Sequence, residues 1–437
     1  MKGNTRDQPA ELRRRPLARV VLASSIGTFI EYYDYAVFGA VAPIIASLFF
    51  PSSDPTAGLL ATFAVFGLAF VLRPVGAFIF GPMGDRLGRK KTLIIVIICM
   101  GLGTFIIGFL PTYSQAGIFA PILLVAARLV QGLSAGGELS GASIYVAESA
   151  PQNRRGLMTS WLQVANTVAF LPGLAIVAIL ESVLSDSAMD SWGWRIPFLV
   201  AGPLAFIGQY MRRRLEESPV FENIVAAGSR TRAPLKSTFT NTATYKDLTF
   251  IVFYGAATFV GFYFILTYLP TFVSTTLNYN SNFGILVVGA FCVGSVVAIP
   301  VAGLLSDIVG RKPVSLASCI GFFVLAYPAI LLLKPGNVVL AVVAGLLLAI
   351  PTSGFQAVLL VTSLERFSSP IRYTGYGVGY ALLSAIFGGT TPYVTESLTS
   401  ASGNYLMPAY ILMTAALISL VPTIFMRETA HRRLVDI

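Results

Sequence analysis

Apolar runs about 20 residues long recur from one end of the 437-residue chain to the other. As helices, such runs cross a hydrocarbon core roughly 30 Å thick. In that solvent every backbone N–H and C=O must be satisfied inside its own segment or in a closed barrel. The two-residue alternation of a barrel strand is missing, so the runs are read as helices. Composition agrees, with 55% hydrophobic and only 11% charged residues, against about 25% charged in soluble domains. The expected fold class is an all-α membrane protein. Twelve transmembrane helices are expected, at 19–49, 57–80, 92–110, 118–148, 157–181, 195–212, 247–274, 282–305, 314–333, 338–364, 373–397 and 405–426.

The net charge of +10 would suit an anionic partner, but its placement argues against one. Arg73 and Arg128 fall well inside spans, and Arg195 and Lys334 lie at span ends on one side. All the other 26 of the 30 Lys and Arg residues lie at the termini or in the alternate loops. This positive-inside pattern puts both termini in the cytoplasm and makes a nucleic-acid partner unnecessary. Cys99, Cys292 and Cys319 lie in spans without motif spacing, so no disulfide or metal is expected. The start "ELRRRPLARVV" has the charge of a signal peptide, but the following run is too long and lacks a cleavage site. It reads as the first helix. No phosphate loop or catalytic constellation is present, and the lone His431 lies in the tail. Neither an enzyme nor a cofactor is expected.

The longest polar stretch, 212–246, splits the spans six and six. This gives an N-terminal half at 1–211, a cytoplasmic linker, and a C-terminal half at 247–437. A repeat supports the division. "GPMGDRLGRKK" begins at Gly81 between spans two and three, and "GLLSDIVGRKP" at Gly303 between spans eight and nine. Asp85 matches Asp307, Gly88 Gly310, Arg89 Arg311 and Lys90 Lys312, always 222 residues apart. Matched loops at equivalent places imply a duplicated six-helix unit.

This loop is similar to the signature of the major facilitator superfamily, G-x-x-x-D-R-x-G-R-[KR]. The first copy matches it fully; the second has Ile308 after its Asp. "EYYDYAVFG", "LRPVGAFIFGPMGD", "RLVQGLSAGGELSGASIYVAE", "WGWRIPF" and "AIFGGTTPY" narrow the resemblance to the metabolite:H⁺ symporter family, across essentially the whole chain. It includes bacterial carriers of proline and betaine, α-ketoglutarate, citrate and shikimate. "GASIYVAESAPQNRRGLMTSW", "ILTYLP" and "MPAYILM" lean toward the osmolyte carriers. Arg128, by contrast, is the residue usual in the carboxylate carriers. The resemblance implies a monomeric carrier in the bacterial inner membrane, working by alternating access between two pseudo-symmetric halves. Its partners would be a small solute, H⁺ and lipid. It also implies that Asp85, Arg89, Glu148, Asp307 and Arg311 form gating contacts in the loop layer, with Glu365 and Arg372 as second-half counterparts.

Charged residues inside spans are expensive, roughly 2.5 kcal/mol or more each near a bilayer centre, and mark function by default. Glu31 and Asp34 share a helix face in "GTFIEYYDYAVFG". Two close carboxylates in low dielectric favour a proton on one, which suits proton coupling. Arg128 offers a fork that fits a substrate carboxylate or, without substrate, Glu31 or Asp34. Glu138 suits a proton relay or a gate pair. Arg73 suits a gating pair with Glu138 or Asp34. The second-half spans are mostly neutral, apart from Glu396 near an outer end. Span seven carries Tyr254, Phe259, Phe262, Tyr263 and Tyr268, a surface able to hold a quaternary ammonium. Tyr32 and Trp161 could join it, with Gln131, Gln163, Asn166, Gln356 and Tyr380 as hydrogen-bonding candidates. The expected function is H⁺ symport of a zwitterionic compatible solute, with di- or tricarboxylate symport as the alternative. A drug exporter ranks lower, because its span-five Gly-Pro-Gly-Gly motif is met here only by Pro172 and Gly173.

Overall fold

A computed structural model describes residues 17–87, 89–213, 242–367 and 372–430. Among them every regular element is helical. All twelve expected spans are helical, and are labelled here in order: α1 17–49, α2 55–87, α3 Arg89–Ile107, α4 119–149, α5 Arg155–Val183, α6 Arg195–Arg213, α7 242–275, α8 Ser281–Val309, α9 Arg311–Leu333, α10 Val338–Leu364, α11 372–402 and α12 Met407–Phe425. Eight are singly long and apolar enough to cross a membrane, and α1 makes a ninth if its two bent pieces count as one. The shorter α3, the arginine-tipped α6 and the hydroxyl-rich α11 complete the set.

Several helices are broken where the sequence removes a hydrogen bond or crowds the backbone. In α1 the axis turns by 67° between Ala40 and Ala42. Pro43 sits in the first turn of the second piece, where its missing N–H costs nothing. Side-chain oxygens of Asp54, Asn280 and Asn337 cap α2, α8 and α10, accepting from Thr56, Asn282 and Val339 at 2.8–2.9 Å. Gly310, between α8 and α9, has φ +107°, a conformation that any Cβ would strain. Its counterpart Gly88 lies outside the described residues. Single π-helical turns interrupt α7 at Phe264–Tyr268 and α11 at Ser384–Gly388. Such turns recur where function needs a helix re-aimed.

Within the first half α1 packs on α5 and α6, and α3 on α6 and α4. Within the second, α10 packs on α8 and α9, and α12 on α9. The halves meet through α5 against α8 and α2 against α11. Small residues set the closeness of the first contact: a Cβ on Gly303 would lie 2.7 Å from Ser160 Oγ and 2.9 Å from the Gly156 carbonyl oxygen. The bundle end holding the start of α1 and the end of α12 is called the terminal face below.

Candidate functional site

The intramembrane charges of the first half form three buried carboxylate–arginine pairs, all nearly inaccessible to solvent. Arg73 of α2 pairs with Glu31. Glu31 also accepts from the Tyr35 hydroxyl at 2.7 Å, and Arg73 reaches Tyr35 as well. The other Arg73 nitrogen, Nη1, donates to Ser384 Oγ at 2.7 Å. Ser384 opens the π turn of α11, so this bond ties the Glu31 cluster to the opposite half. The guanidinium lies over the Phe70 ring at 4.2 Å. The partner expected from sequence, Glu138 or Asp34, is thus replaced by Glu31.

Arg128 of α4 pairs with Asp34 through Nη1, which also donates to Gln131 Oε1 at 2.9 Å. Gln131 Nε2 donates to Asp34 Oδ1 at 3.0 Å and to Thr104 at 2.6 Å. Phe38 covers the guanidinium at 3.8 Å. The remaining edge of Arg128, Nε with Nη2, is buried and among the described residues has no hydrogen-bond acceptor. That edge is the one that binds a carboxylate in two parallel bonds.

Glu138 takes a partner that sequence reasoning counted only as loop charge, Arg212 at the end of α6. Nη1 reaches Oε2 at 2.9 Å and also the Leu93 carbonyl at 2.6 Å, while Nη2 meets Oε1. Gly27 of α1 lies against this pair; a Cβ there would strike both side chains. In "YMRRRL" nothing local separates the buried first arginine from its neighbours. Only α6–α3 and α1–α4 packing does.

Between the halves lies a small central cavity of about 10 Å³, room for roughly one water. Tyr32, Gln163, Phe259, Tyr263, Gln356 and Tyr380 line it. Tyr32 meets Phe262 edge-on at 5.4 Å, and Phe259 meets Tyr380 at 5.3 Å. Of the sequence candidates, Tyr32, Gln163, Phe259, Phe262, Tyr263, Gln356 and Tyr380 therefore converge here. Gln131 belongs to the Asp34 cluster instead. Tyr254 is buried within the second half, bonded to Ser315 at 2.7 Å and stacked on Phe250, so it does not line the cavity. Trp161 departs as well: 44% exposed, it lines an apolar groove with Val21 and Phe29 rather than the centre. Its position on α5 is one helix face away from Gln163.

At the terminal face the halves are locked together. Asp307 accepts the backbone N–H groups of Gly156 and Leu157, both at 2.9 Å, at the start of α5. Arg311 holds Asp307 at 2.7 Å. Glu365, at the end of α10, meets Arg155 at 3.1 Å and Arg311 at 3.6 Å, and accepts from Thr429 at 2.6 Å. Glu428 caps α9 by accepting from Arg311 and Lys312 N–H at 2.8 and 3.0 Å. Burial works against charge on Glu428, but its backbone donors outweigh it and hold the carboxyl below the usual range. The side chains of Asp85, Arg89, Glu148 and Arg372 lie outside the described ones. Arg155 and Arg311 are both nearly inaccessible, and of the two only Arg311 was a gating candidate from sequence.

The model of the sugar (and other) transporter family matches residues 20–240 and 222–437. The glycine betaine/proline/ectoine/pipecolic acid transporter OusA of Dickeya dadantii is 38% identical over 425 residues, covering 96% of this chain and 85% of its own. The proline/betaine transporter of Escherichia coli K12 is 39% identical over 426 residues, with the same shares. The citrate-proton symporter of Klebsiella pneumoniae is 35% identical over 411 residues, with shares of 93% and 91%. The major facilitator proton:xylose symporter XylE, bound to 6-bromo-6-deoxy-D-glucose, superposes with a TM-score of 0.77 at 17% identity, covering 96% of this chain and 98% of that one. At that identity the likeness concerns the fold alone.

Proposed function

The chain belongs to the sugar (and other) transporter family, and we propose that it is a proton-coupled symporter importing a zwitterionic compatible solute of the proline, betaine or ectoine type across the bacterial inner membrane. The terminal face carries the arginine-rich loops, so it is cytoplasmic under the positive-inside rule. The locked terminal face and the nearly closed centre then correspond to a carrier shut toward the cytoplasm. It works as a monomer, each half carrying part of the site, and the named relatives support the solute class.

The observation that carries the reading is the arrangement at Arg128. One nitrogen is committed to Asp34 while its carboxylate-binding edge lacks an acceptor. Protonation of Asp34 releases Arg128 toward the carboxylate of an arriving solute, so substrate and proton load together. The ammonium end then faces Tyr32, Phe259, Phe262, Tyr263 and Tyr380, whose rings favour a desolvated cation. Glu31, Arg73 and Ser384 carry the change to the second half, because a proton on Glu31 loosens the arginine that bridges the halves. Glu138 with Arg212 continues the line of carboxylates toward the cytoplasm as a relay.

The second reading, a di- or tricarboxylate symporter, has the Klebsiella relative in its favour. Against it, Arg128 offers a single free edge for one carboxylate, Arg73 is committed to Glu31, and among the described residues no Lys or Arg lines the central cavity to meet a second or third carboxylate. Uptake into proteoliposomes under an inward proton gradient separates the two. Labelled proline, glycine betaine and ectoine should accumulate and collapse with a protonophore. Accumulation of citrate or α-ketoglutarate instead would establish the second reading.

A further inference from the structure

Opposite the terminal face, between α1–α2 and α7–α11, lies a vestibule of about 620 Å³, within the range of small-molecule sites. Its lining includes Ser47, Asp54, Thr275, Thr276, Glu396 and Thr399. Glu396 is only 5% exposed, yet it borders this open space. Each of its oxygens accepts one hydroxyl, from Tyr268 at 2.7 Å and from Ser400 at 2.7 Å. That pattern suits an ionised, acceptor-only carboxylate. Among the described residues no Lys or Arg lies within ion-pair distance of it, and none lines the vestibule. Every carboxylate of the three first-half clusters has an arginine; this one has none. A buried carboxylate is retained at a cost unless something offsets its charge.

We propose that the vestibule is a binding site for an ammonium or quaternary ammonium group, with Glu396 as its counter-charge. The site deepens the zwitterion reading above and rests on it for the identity of the transported solute. Hydroxyls of Ser47, Thr275, Thr276 and Thr399 surround the head group, and the absence of a lining cation repels nothing positive while offering no partner to a di- or tricarboxylate. Tyr268 links the site to the passage beneath. It holds Glu396 by its hydroxyl and meets Phe63 of the other half edge-on at 5.6 Å. A solute head at Glu396 is therefore one side chain away from an aromatic contact between the halves. The vestibule selects by charge before the central cavity selects by shape.

The probe is tetramethylammonium, which has the head group and no carboxylate, titrated calorimetrically into the full chain in nanodiscs. The wild type should bind it, and Glu396→Gln should weaken binding about tenfold or more. The exposed Ser47→Lys, which places a cation on the rim without touching the core, should weaken it similarly, and it keeps the test open if Glu396→Gln fails to fold. In uptake, both variants should raise KM for glycine betaine with kcat nearly unchanged. Tetramethylammonium binding unaltered in both variants overturns the site, even if glycine betaine is transported. Binding lost in both variants supports the site, even if glycine betaine is not transported and the solute assignment falls.

Discussion

A buried arginine is expensive to strand. Removing one member of a buried ion pair costs roughly 3–5 kcal/mol, because the partner charge is left without compensation. Asp34→Asn leaves Arg128 facing only neutral acceptors, the introduced amide oxygen and that of Gln131. The variant should melt at lower temperature and lose uphill accumulation, while exchange of preloaded solute continues, since exchange needs no net proton movement. Counterflow and gradient-driven uptake measured side by side decide it; wild-type accumulation would remove Asp34 from coupling. The Glu138–Arg212 pair makes a second prediction at this scale. Glu138→Gln and Arg212→Gln should each lower stability by a similar amount, and the double variant should cost clearly less than the two added together. Simple additivity in thermal melts would show that the two do not act as a pair. The carboxylates were legible in sequence, because charge inside an apolar run is conspicuous. Their partners were not. Which arginine meets Glu31 or Glu138 depends on helix rotation and on contacts 42 and 74 residues apart in sequence.

Helices were legible as lengths of apolar chain; their contacts were legible only in part. The matched loops at Gly81 and Gly303 announced two equivalent halves, and Pro43 and the Asp54 and Asn280 caps mark breaks that the sequence carries openly. The π turns that place Tyr263 and Ser384 left no such mark, because packing rather than a residue type produces them. The same limit explains Trp161, a plausible cavity residue by type that α5 turns outward. The α5–α8 crossing gives a prediction at the scale of the element. Gly156 and Gly303 bring two backbones together across the halves, with no room for a side chain on either. Gly303→Leu should wedge the helices apart and hold the terminal face open. A cysteine at Ser306, buried in the wild type, should then react faster with a maleimide in a background lacking the three native cysteines. Equal labelling rates would mean that α5 and α8 part elsewhere.

Alternating access requires that the contacts holding one face shut exist in one state and break in the other. The terminal face is held by a compact set: Arg155 with Glu365, Arg311 with Asp307 and Glu365, and Asp307 on the α5 N-terminus. Glu365 is the shared member. Glu365→Gln removes the negative charge from between Arg155 and Arg311 and leaves two guanidiniums facing each other. A charge-assisted hydrogen bond contributes roughly 1.5–3 kcal/mol, and each 1.4 kcal/mol is about a tenfold change in a two-state ratio. The variant should therefore shift the population toward the open terminal face by about tenfold or more, without harming the half-internal pairs of Glu31, Asp34 and Glu138. Spin labels at the exposed Asn153 and Lys246, one in each half at that face, should report a longer distance in Glu365→Gln than in the wild type. Uptake should slow, because the carrier spends less time able to load from the far side. An unchanged distance distribution would place the closing energy in the helix packing of α5 on α8, and Gly303→Leu would then be the variant that opens the face.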